Sequence, residues 1–397
     1  MAASDTARSP AKAGAQPAGP EELDPGFRRG TQERRSIPLA TGTLHLQVDR
    51  ALWPLDSLCG FAVRRNPRRA FLIVSKLLGR HIPASPSLMR RSVRDLAAQV
   101  PDGLPGPVLV VGLAETAVCL GQMLFEELAR RPGFAGHFIH STRQQIGHPL
   151  LCRFEEPHSH ASAHLIYRPH DVDLDAVRTL ILVDDEVSTG TTLTNLAAAL
   201  LQHLPRCDRI VAAALTDWSG GTGWLSRMPR PAGCVSLLTG SLRWEPGAAP
   251  PAAADGTAFS RAAPALGRMT QHRNYGRLGW DGSPLPLPQL PAFGPPEPRL
   301  RVIATGEFTY PPFLLAERLE AAGHDVVVQS TSRSPALPGG AIRHALTFED
   351  NYATRLPNFL YNADPADVRA SLICHETPSQ SIDAALIAAL NATCIRF

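Results

Sequence analysis

The run Thr179-Leu180-Ile181-Leu182-Val183-Asp184-Asp185-Glu186-Val187-Ser188-Thr189-Gly190-Thr191-Thr192 constrains this chain more than any other. A short apolar stretch bounded by acids suits a strand buried on both faces, as in a parallel sheet. The spacing then predicts a polar turn from Asp184 to Thr192. Beyond it Leu193, Leu196, Leu200 and Leu204 share one helix face, and Pro205 stops the helix. Ligands of parallel sheets sit at the carboxyl ends of the strands, where Asp184 and Asp185 fall.

The same grammar recurs along the chain. Val108-Leu109-Val110-Val111 reads as a strand, Gly112 as a turn, and Leu120, Met123, Leu124 and Leu128 as a helix stripe. Ile210 to Leu215 and Cys234 to Leu238 are further strands. Gly42 to Val48 alternates like a strand, and Phe71 to Val74 opens either a strand or a helix. Alternating short strands and helices predict an α/β fold, a parallel sheet with flanking helices. A smaller C-terminal α/β domain is expected from Leu300 to Ala304, a helix opened by Pro311 and Pro312 and closed by Gly323, strands at Val326 to Val328 and Ser371 to Cys374, and a helix over 382–391.

The 37 prolines and 31 glycines gather at the N terminus and around 245–296, which sets the expected boundaries. Residues 1–35 read as a disordered leader, 36–244 as the first domain, 245–296 as a proline-rich connection, and 297–397 as the second domain. Within the connection, GRMTQHRNYGRLGW is too specific for plain linker and is expected to pack against either domain.

A net charge of +3 is too weak to mark a nucleic-acid binder. Arg64, Arg65, Arg68, Arg69, Lys76 and Arg80 form a local basic cluster, either a phosphate-attracting wall at the substrate entrance or a solvated surface. Aromatic interleaving is sparse and no common RNA-binding module is evident, so small-molecule phosphate ranks above RNA. The 7 widely spaced cysteines make neither a disulfide framework nor a paired metal motif. The N terminus lacks the apolar stretch of a signal peptide, and no apolar run approaches the roughly 20 residues of a membrane helix. The expectation is a soluble cytoplasmic protein without membrane contact.

The chemistry concentrates at 184–192. A hydroxyl-rich turn entering a helix presents N–H groups and hydroxyls to a phosphate, and Gly190 permits close approach. Ser188, Thr189, Thr191 and Thr192 would hold a monophosphate; Asp184 and Asp185 would face a sugar diol, a hydrated Mg²⁺, or both. A capped helix with two solvent acids is the bland alternative. Neither a Walker A loop nor a dinucleotide fingerprint is present.

Val183 to Thr192 resembles the signature of type I phosphoribosyltransferases: apolar strand, two acids, two intervening residues, then a Thr/Ser-rich glycine loop. The resemblance implies 5-phosphoribosyl pyrophosphate as donor, Asp184 and Asp185 on the ribose diol and Mg²⁺, and a 5′-phosphate cradle from Ser188 through Thr192. Glu186 stands where apolar residues are common. Gly112-Leu113-Ala114-Glu115-Thr116-Ala117 looks like the family's pyrophosphate turn, with Glu115 needing Mg²⁺ or a base beside it; plain helix capping is the alternative. Arg143 would pair with pyrophosphate through its planar donors, or be a surface arginine. Phe154 to His164 lies where the family often carries a mobile loop, which makes His158 and His160 candidates for polar or proton-transfer roles. With His164 they also invite a zinc reading, although the spacing defines no zinc geometry.

Ser332-Arg333-Ser334-Pro335 completes a wider resemblance, to a bacterial phosphoribosyltransferase family with a C-terminal TRSP domain linked by gene context to tellurite-resistance and stress clusters. Ser332 replaces the initial Thr. What the resemblance implies is phosphoribosyl transfer to an unidentified base or amine, or the reverse cleavage, in nucleotide- or nucleoside-like metabolism, with a homodimer among the options. A non-catalytic sensor of the donor and an RNA-associated protein are the other classes carried forward.

Overall fold

The computed structural model describes residues 32–64, 69–155, 163–247, 267–269, 273–289 and 299–397. Strands β1 (Glu33–Leu39) and β2 (Gly42–Ala51) form an antiparallel hairpin, followed by the short α1 (Leu55–Leu58), β3 (Cys59–Arg64) and β4 (Phe71–Ser75). Helix α2 (Pro86–Ala97) starts at Ser85, whose hydroxyl accepts the Leu88 N–H. Then come β5 (Val108–Gly112), α3 (Ala117–Ala129), β6 (Gly136–His140), β7 (Gln144–Gln145), β8 (Leu150–Glu155), β9 (Ala163–Tyr167), β10 (Thr179–Val187), α4 (Thr191–Leu201), β11 (Arg209–Asp217) and β12 (Ala232–Pro246). The C-terminal part contains β13 (Gly267–Arg268), β14 (Leu300–Ala304), α5 (Tyr310–Ala321), β15 (Val326–Ser330), β16 (Ala336–Leu337), β17 (Ala345–Glu349), β18 (Pro357–Tyr361), β19 (Ala370–His375), α6 (Ala384–Leu390) and β20 (Thr393–Arg396).

The principal sheet has the order β1-β2-β12-β11-β10-β5-β6. Its strands from β12 to β6 are parallel, while β2 joins β12 antiparallel. The residues Leu180 to Val183 are fully buried, as the apolar run requires. Leu193, Leu196, Leu200 and Leu204 are buried together beneath α4. A second parallel sheet has the order β15-β14-β19-β20. The fold is thus α/β with a central parallel sheet and flanking helices.

Two boundaries and the separation of the two units differ from expectation. The leader was expected to run to residue 35, but β1 begins at Glu33, because Glu33 to Arg35 pair with Val48 to Leu46. Strand β12 continues to Pro246, past 244, held by the register of β2. The two α/β units are also less separate than their sequences suggest. Residues of β14, α5, β15 and β19 join the apolar cluster that contains β5, α3, β10 and α4. Arg90 of α2 forks onto Glu317 of α5 (2.7 and 2.8 Å) and bonds Glu126 of α3 (2.6 Å). Strand β16 pairs with β3, making a three-stranded β16-β3-β4 sheet from both ends of the chain. Within the insert, Trp280 bridges Phe138 of β6 and Gly267 pairs with Gln144, while Arg277 reaches Glu307 and Glu376, so it packs against both units.

The seven cysteines are free. Among the described residues, no helix is long and apolar enough to cross a membrane.

Candidate functional site

The site opens where neighbouring strands stop at different heights. Strand β5 pairs with β10 only as far as Gly112↔Val183, whereas β11 follows β10 to Val187↔Asp217. The expected turn at Asp184 is therefore strand for four more residues, with one flank uncovered. That uncovered flank faces the Gly112 turn, and Asp184 and Asp185 lie half-buried on it.

The turn after β5 is tightly fixed. A Cβ on Gly112 would lie 2.6 Å from the Ala117 carbonyl oxygen, so no larger residue fits there without a shift. The Ala114–Glu115 peptide is cis. The Ala114 N–H donates to Ser141 Oγ (2.9 Å), and the Thr116 hydroxyl donates to Asp185 Oδ1 (2.8 Å). Thr116 thus makes no side-chain cap for α3; its hydroxyl instead ties the two turns together. Asp184 Oδ1 accepts the Asp185 N–H at 2.9 Å.

The hydroxyl loop enters α4 through Gly190, whose φ of +72° is left-handed. A Cβ there would lie 2.1 Å from the Trp224 ring, so packing as well as backbone geometry requires glycine. Thr189 Oγ donates to Thr191 Oγ at 3.0 Å, and the Thr194 hydroxyl closes back on the Gly190 carbonyl at 2.9 Å. The first N–H groups of α4 stand at the same end of the cleft, where they suit an anion.

One cleft of about 660 Å³ joins these parts. It is bordered by Leu113 to Thr116, Asp184 to Thr192 and Arg143, by Arg64, Arg69, Phe71, Leu72 and Ile73 of the three-stranded sheet and its connection, by Arg80 and His81, and by Ser332, Arg333 and Ser334. A second cavity, of about 540 Å³, lies between Arg273, Pro286, Pro288 and the C-terminal Phe397; none of the residues 184–192 borders it.

Arg143 stands beside β6, buried, with Nη2 3.2 Å from His164 Nε2. A guanidinium is always a donor, so Nε2 is the acceptor and the neutral His164 carries its proton on Nδ1. That proton points to Ser141 Oγ, 2.9 Å away. His164 stacks on Phe154 (4.7 Å between ring centres) and is fully buried. It is therefore a positioning residue that joins Arg143 to the Gly112 turn through Ser141. His158 and His160, the candidates for proton transfer, lie outside the described residues, as do Arg65 and Arg68.

The basic cluster divides. Arg64, Arg69 and Arg80 border the cleft, whereas Lys76 bonds the Asp56 carbonyl at 2.5 Å and does not. Arg69 pairs with Glu186. Burial pushes the Glu186 carboxyl up, and Arg69 opposes that rise. Glu115 meets two bases: Arg80 Nη1 at 3.5 Å and Arg333 Nε at 3.8 Å. Arg80 also donates to the Glu115 carbonyl at 2.7 Å.

A buried ionic junction underlies the Arg143 side. Arg277 of the insert donates to Glu307 (3.0 and 3.2 Å) and forks onto Glu376 (2.6 and 2.8 Å), with all three side chains no more than 2% exposed. Glu307 also accepts the Thr142 hydroxyl and the Arg143 N–H (3.1 Å), and the Tyr352 hydroxyl donates to Glu376 (3.1 Å). Burial raises the Glu307 carboxyl, but Arg277, His140, Thr142 and the Arg143 N–H outweigh it and hold the group below its usual value. No local sequence pattern pairs Glu307, Tyr352 and Glu376 with Arg277, and none of the four is among the site residues expected from sequence.

Asp184 and Asp185 supply hard carboxylate oxygens of the kind Mg²⁺ accepts when water and substrate oxygens complete its shell. Among the described residues no group of three or more His, Cys, Asp and Glu side chains could hold a metal ion. A divalent ion held by Asp184 and Asp185 would need water and ligand oxygens to complete its shell.

Residues 58–241 match the family described as phosphoribosyl transferase, and residues 292–390 match the TRSP domain, described as lying C-terminal to that transferase. No curated protein matches the chain. Similar solved structures include adenine phosphoribosyltransferase from Rhodothermus marinus, 17% identical over 38% of this chain and 78% of its own, with a TM-score of 0.27. Hypoxanthine-guanine phosphoribosyltransferase from Bacillus anthracis is 16% identical over 40% and 82%, TM-score 0.24. A hypothetical protein from Neisseria gonorrhoeae with bound ppGpp is 12% identical over 41% and 84%, TM-score 0.27.

Proposed function

We propose that this protein, a phosphoribosyltransferase-like chain with a C-terminal TRSP domain, transfers the ribosyl group of 5-phosphoribosyl pyrophosphate to the nitrogen of a base or amine, or runs the reverse cleavage. Support comes from one observation above the rest. The acids at the end of β10, the Gly190 loop and the Gly112 turn border one cleft, and Thr116 hydrogen-bonds Asp185 across it.

The 5′-phosphate lies on the N–H groups and hydroxyls of Ser188, Thr189, Gly190, Thr191 and Thr192. Asp184 and Asp185 accept from the two ribose hydroxyls. The pyrophosphate lies along Gly112 to Thr116, with Arg143 held toward it by His164. Mg²⁺, when bound with the donor, supplies positive charge to the departing pyrophosphate. As the C1–O bond breaks, its electron pair leaves with pyrophosphate and positive character develops on the ribose ring. Fixed acids and arginines stabilise that separation because their geometry is set before reaction. The nucleophile's lone pair forms the C1–N bond from the opposite face, and its proton passes to solvent or to a basic group. No covalent protein intermediate is required. Such chemistry belongs to nucleotide- or nucleoside-like synthesis or salvage, in a cytoplasmic setting; the tellurite and stress association is a separate matter of gene context.

The test is turnover. Purified protein, Mg²⁺ and donor are incubated with a panel of bases and amines, and pyrophosphate release and product mass are followed. The expected outcome is acceptor-dependent release that falls at least about 100-fold in D184N/D185N. Donor binding without product across a broad panel would favour a sensor instead.

A further inference from the structure

The proposed reaction draws on the carboxyl edge of the first parallel sheet. The second parallel sheet turns part of its own carboxyl edge toward the same cleft. Strand β14 lies between β15 and β19, so the loops leaving β14 and β15 flank the position where parallel sheets take ligands. The loop after β15 reaches out of its own unit. Arg80 donates to the Thr331 carbonyl and to the Glu115 carbonyl, stitching that loop to the Gly112 turn. Ser332, Arg333 and Ser334 then border the cleft together with Asp184 and Asp185.

Arg333 is held there with capacity to spare. Its Nη2 donates to Asp350 Oδ2 at 3.0 Å, and its Nε lies 3.8 Å from the Glu115 carboxylate. Its side chain is 10% exposed, and buried Nη1 has no hydrogen-bond partner among the described residues. An unmet guanidinium N–H in a buried position is costly, and an anionic ligand oxygen would meet it.

We infer that Arg333, with Ser332 and Ser334, is a contact for the donor's pyrophosphate supplied by the C-terminal domain. This rests on the reading that the cleft takes 5-phosphoribosyl pyrophosphate. Position selects the pyrophosphate: Arg333 stands beside Glu115 of the Gly112 turn, whereas the 5′-phosphate loop is a separate segment at the start of α4. The TRSP-like segment is then part of the transferase site, and the second domain completes it.

The experiment is calorimetric titration of the full chain with three Mg²⁺-containing probes: 5-phosphoribosyl pyrophosphate, inorganic pyrophosphate, and ribose 5-phosphate, which lacks the pyrophosphate. R333Q is expected to weaken the first two by about 10- to 100-fold and to leave ribose 5-phosphate unchanged. If R333Q does not fold, R333K is read in its place; it keeps a charge facing Asp350 but loses the planar fork, and about a tenfold loss is expected for the same two probes. Equal weakening of all three probes would make Arg333 a support of cleft shape and overturn the inference, as would unchanged binding of all three. Wild-type protein that binds none of them would sink the proposed reaction as well, which separates the two failures.

Discussion

The two parallel sheets end their central strands in opposite ways. Strand β10 runs past its neighbour β5 into Asp184 and Asp185, half-buried beside a loop whose hydroxyls are half-buried or, at Thr189, exposed. The segments that follow β14 and β19 carry Glu307 and Glu376, which are sealed from solvent and satisfied by Arg277, Thr142 and Tyr352. The same architecture therefore yields an edge open to a ligand and an edge closed by its own side chains. The closed edge braces the open one, because Glu307 accepts the Arg143 N–H and Arg277 ties the insert to both carboxylates.

Breaking the closed edge gives the largest expected effect. R277A leaves two buried carboxylates without their cation and is expected to lower stability by about 3–5 kcal/mol. D184N/D185N, on the open edge, alters half-buried acids that keep hydrogen-bonding amide groups, and is expected to cost about 1 kcal/mol. Urea unfolding of both variants checks the contrast; equal losses would erase it.

Acid sharpens the comparison with a smaller effect. Burial, together with Arg80 and Arg64, pushes His81 down to about 3; burial, together with Arg277 and against Glu307, pushes His140 to about 4. Both stay neutral in the folded chain while the unfolded chain takes protons below about 6.5. Their contribution is fully present above that pH and is lost as pH falls toward the folded values, approaching about 1.4 kcal/mol per pH unit for each histidine. Unfolding midpoints measured from pH 7 to pH 5 should fall, and H81Q/H140Q should flatten the slope. An unaltered slope in that variant would remove these histidines from the account.

The open edge was legible because its parts are contiguous. An apolar strand, two acids and a hydroxyl loop fall within Thr179 to Thr192, so the whole combination is visible in one short segment. The closed edge was not, because Arg277 lies 30 residues from Glu307 and 99 from Glu376. Only the relative placement of two sheets brings those charges together. Strand β16 is two residues long, too short to show a period, so its pairing with β3 left no trace in the pattern. Ser332-Arg333-Ser334 stood out as a motif, yet its place beside Glu115 depends on that pairing and on Arg80. The reach of β10 to Val187 was hidden for a related reason: acids end an apolar run, but β11 continues alongside and carries the strand on.

In the proposed reaction Asp184, Asp185 and the Gly190 loop hold a phosphoribosyl donor. Calorimetric titration of 5-phosphoribosyl pyrophosphate into the full chain, with and without Mg²⁺, tests it most directly. Mg²⁺-dependent binding is expected in the wild type and is lost in D184N/D185N while the variant keeps its fold. Wild-type protein that shows no Mg²⁺-dependent binding, or a double variant that binds the donor as tightly, would contradict it.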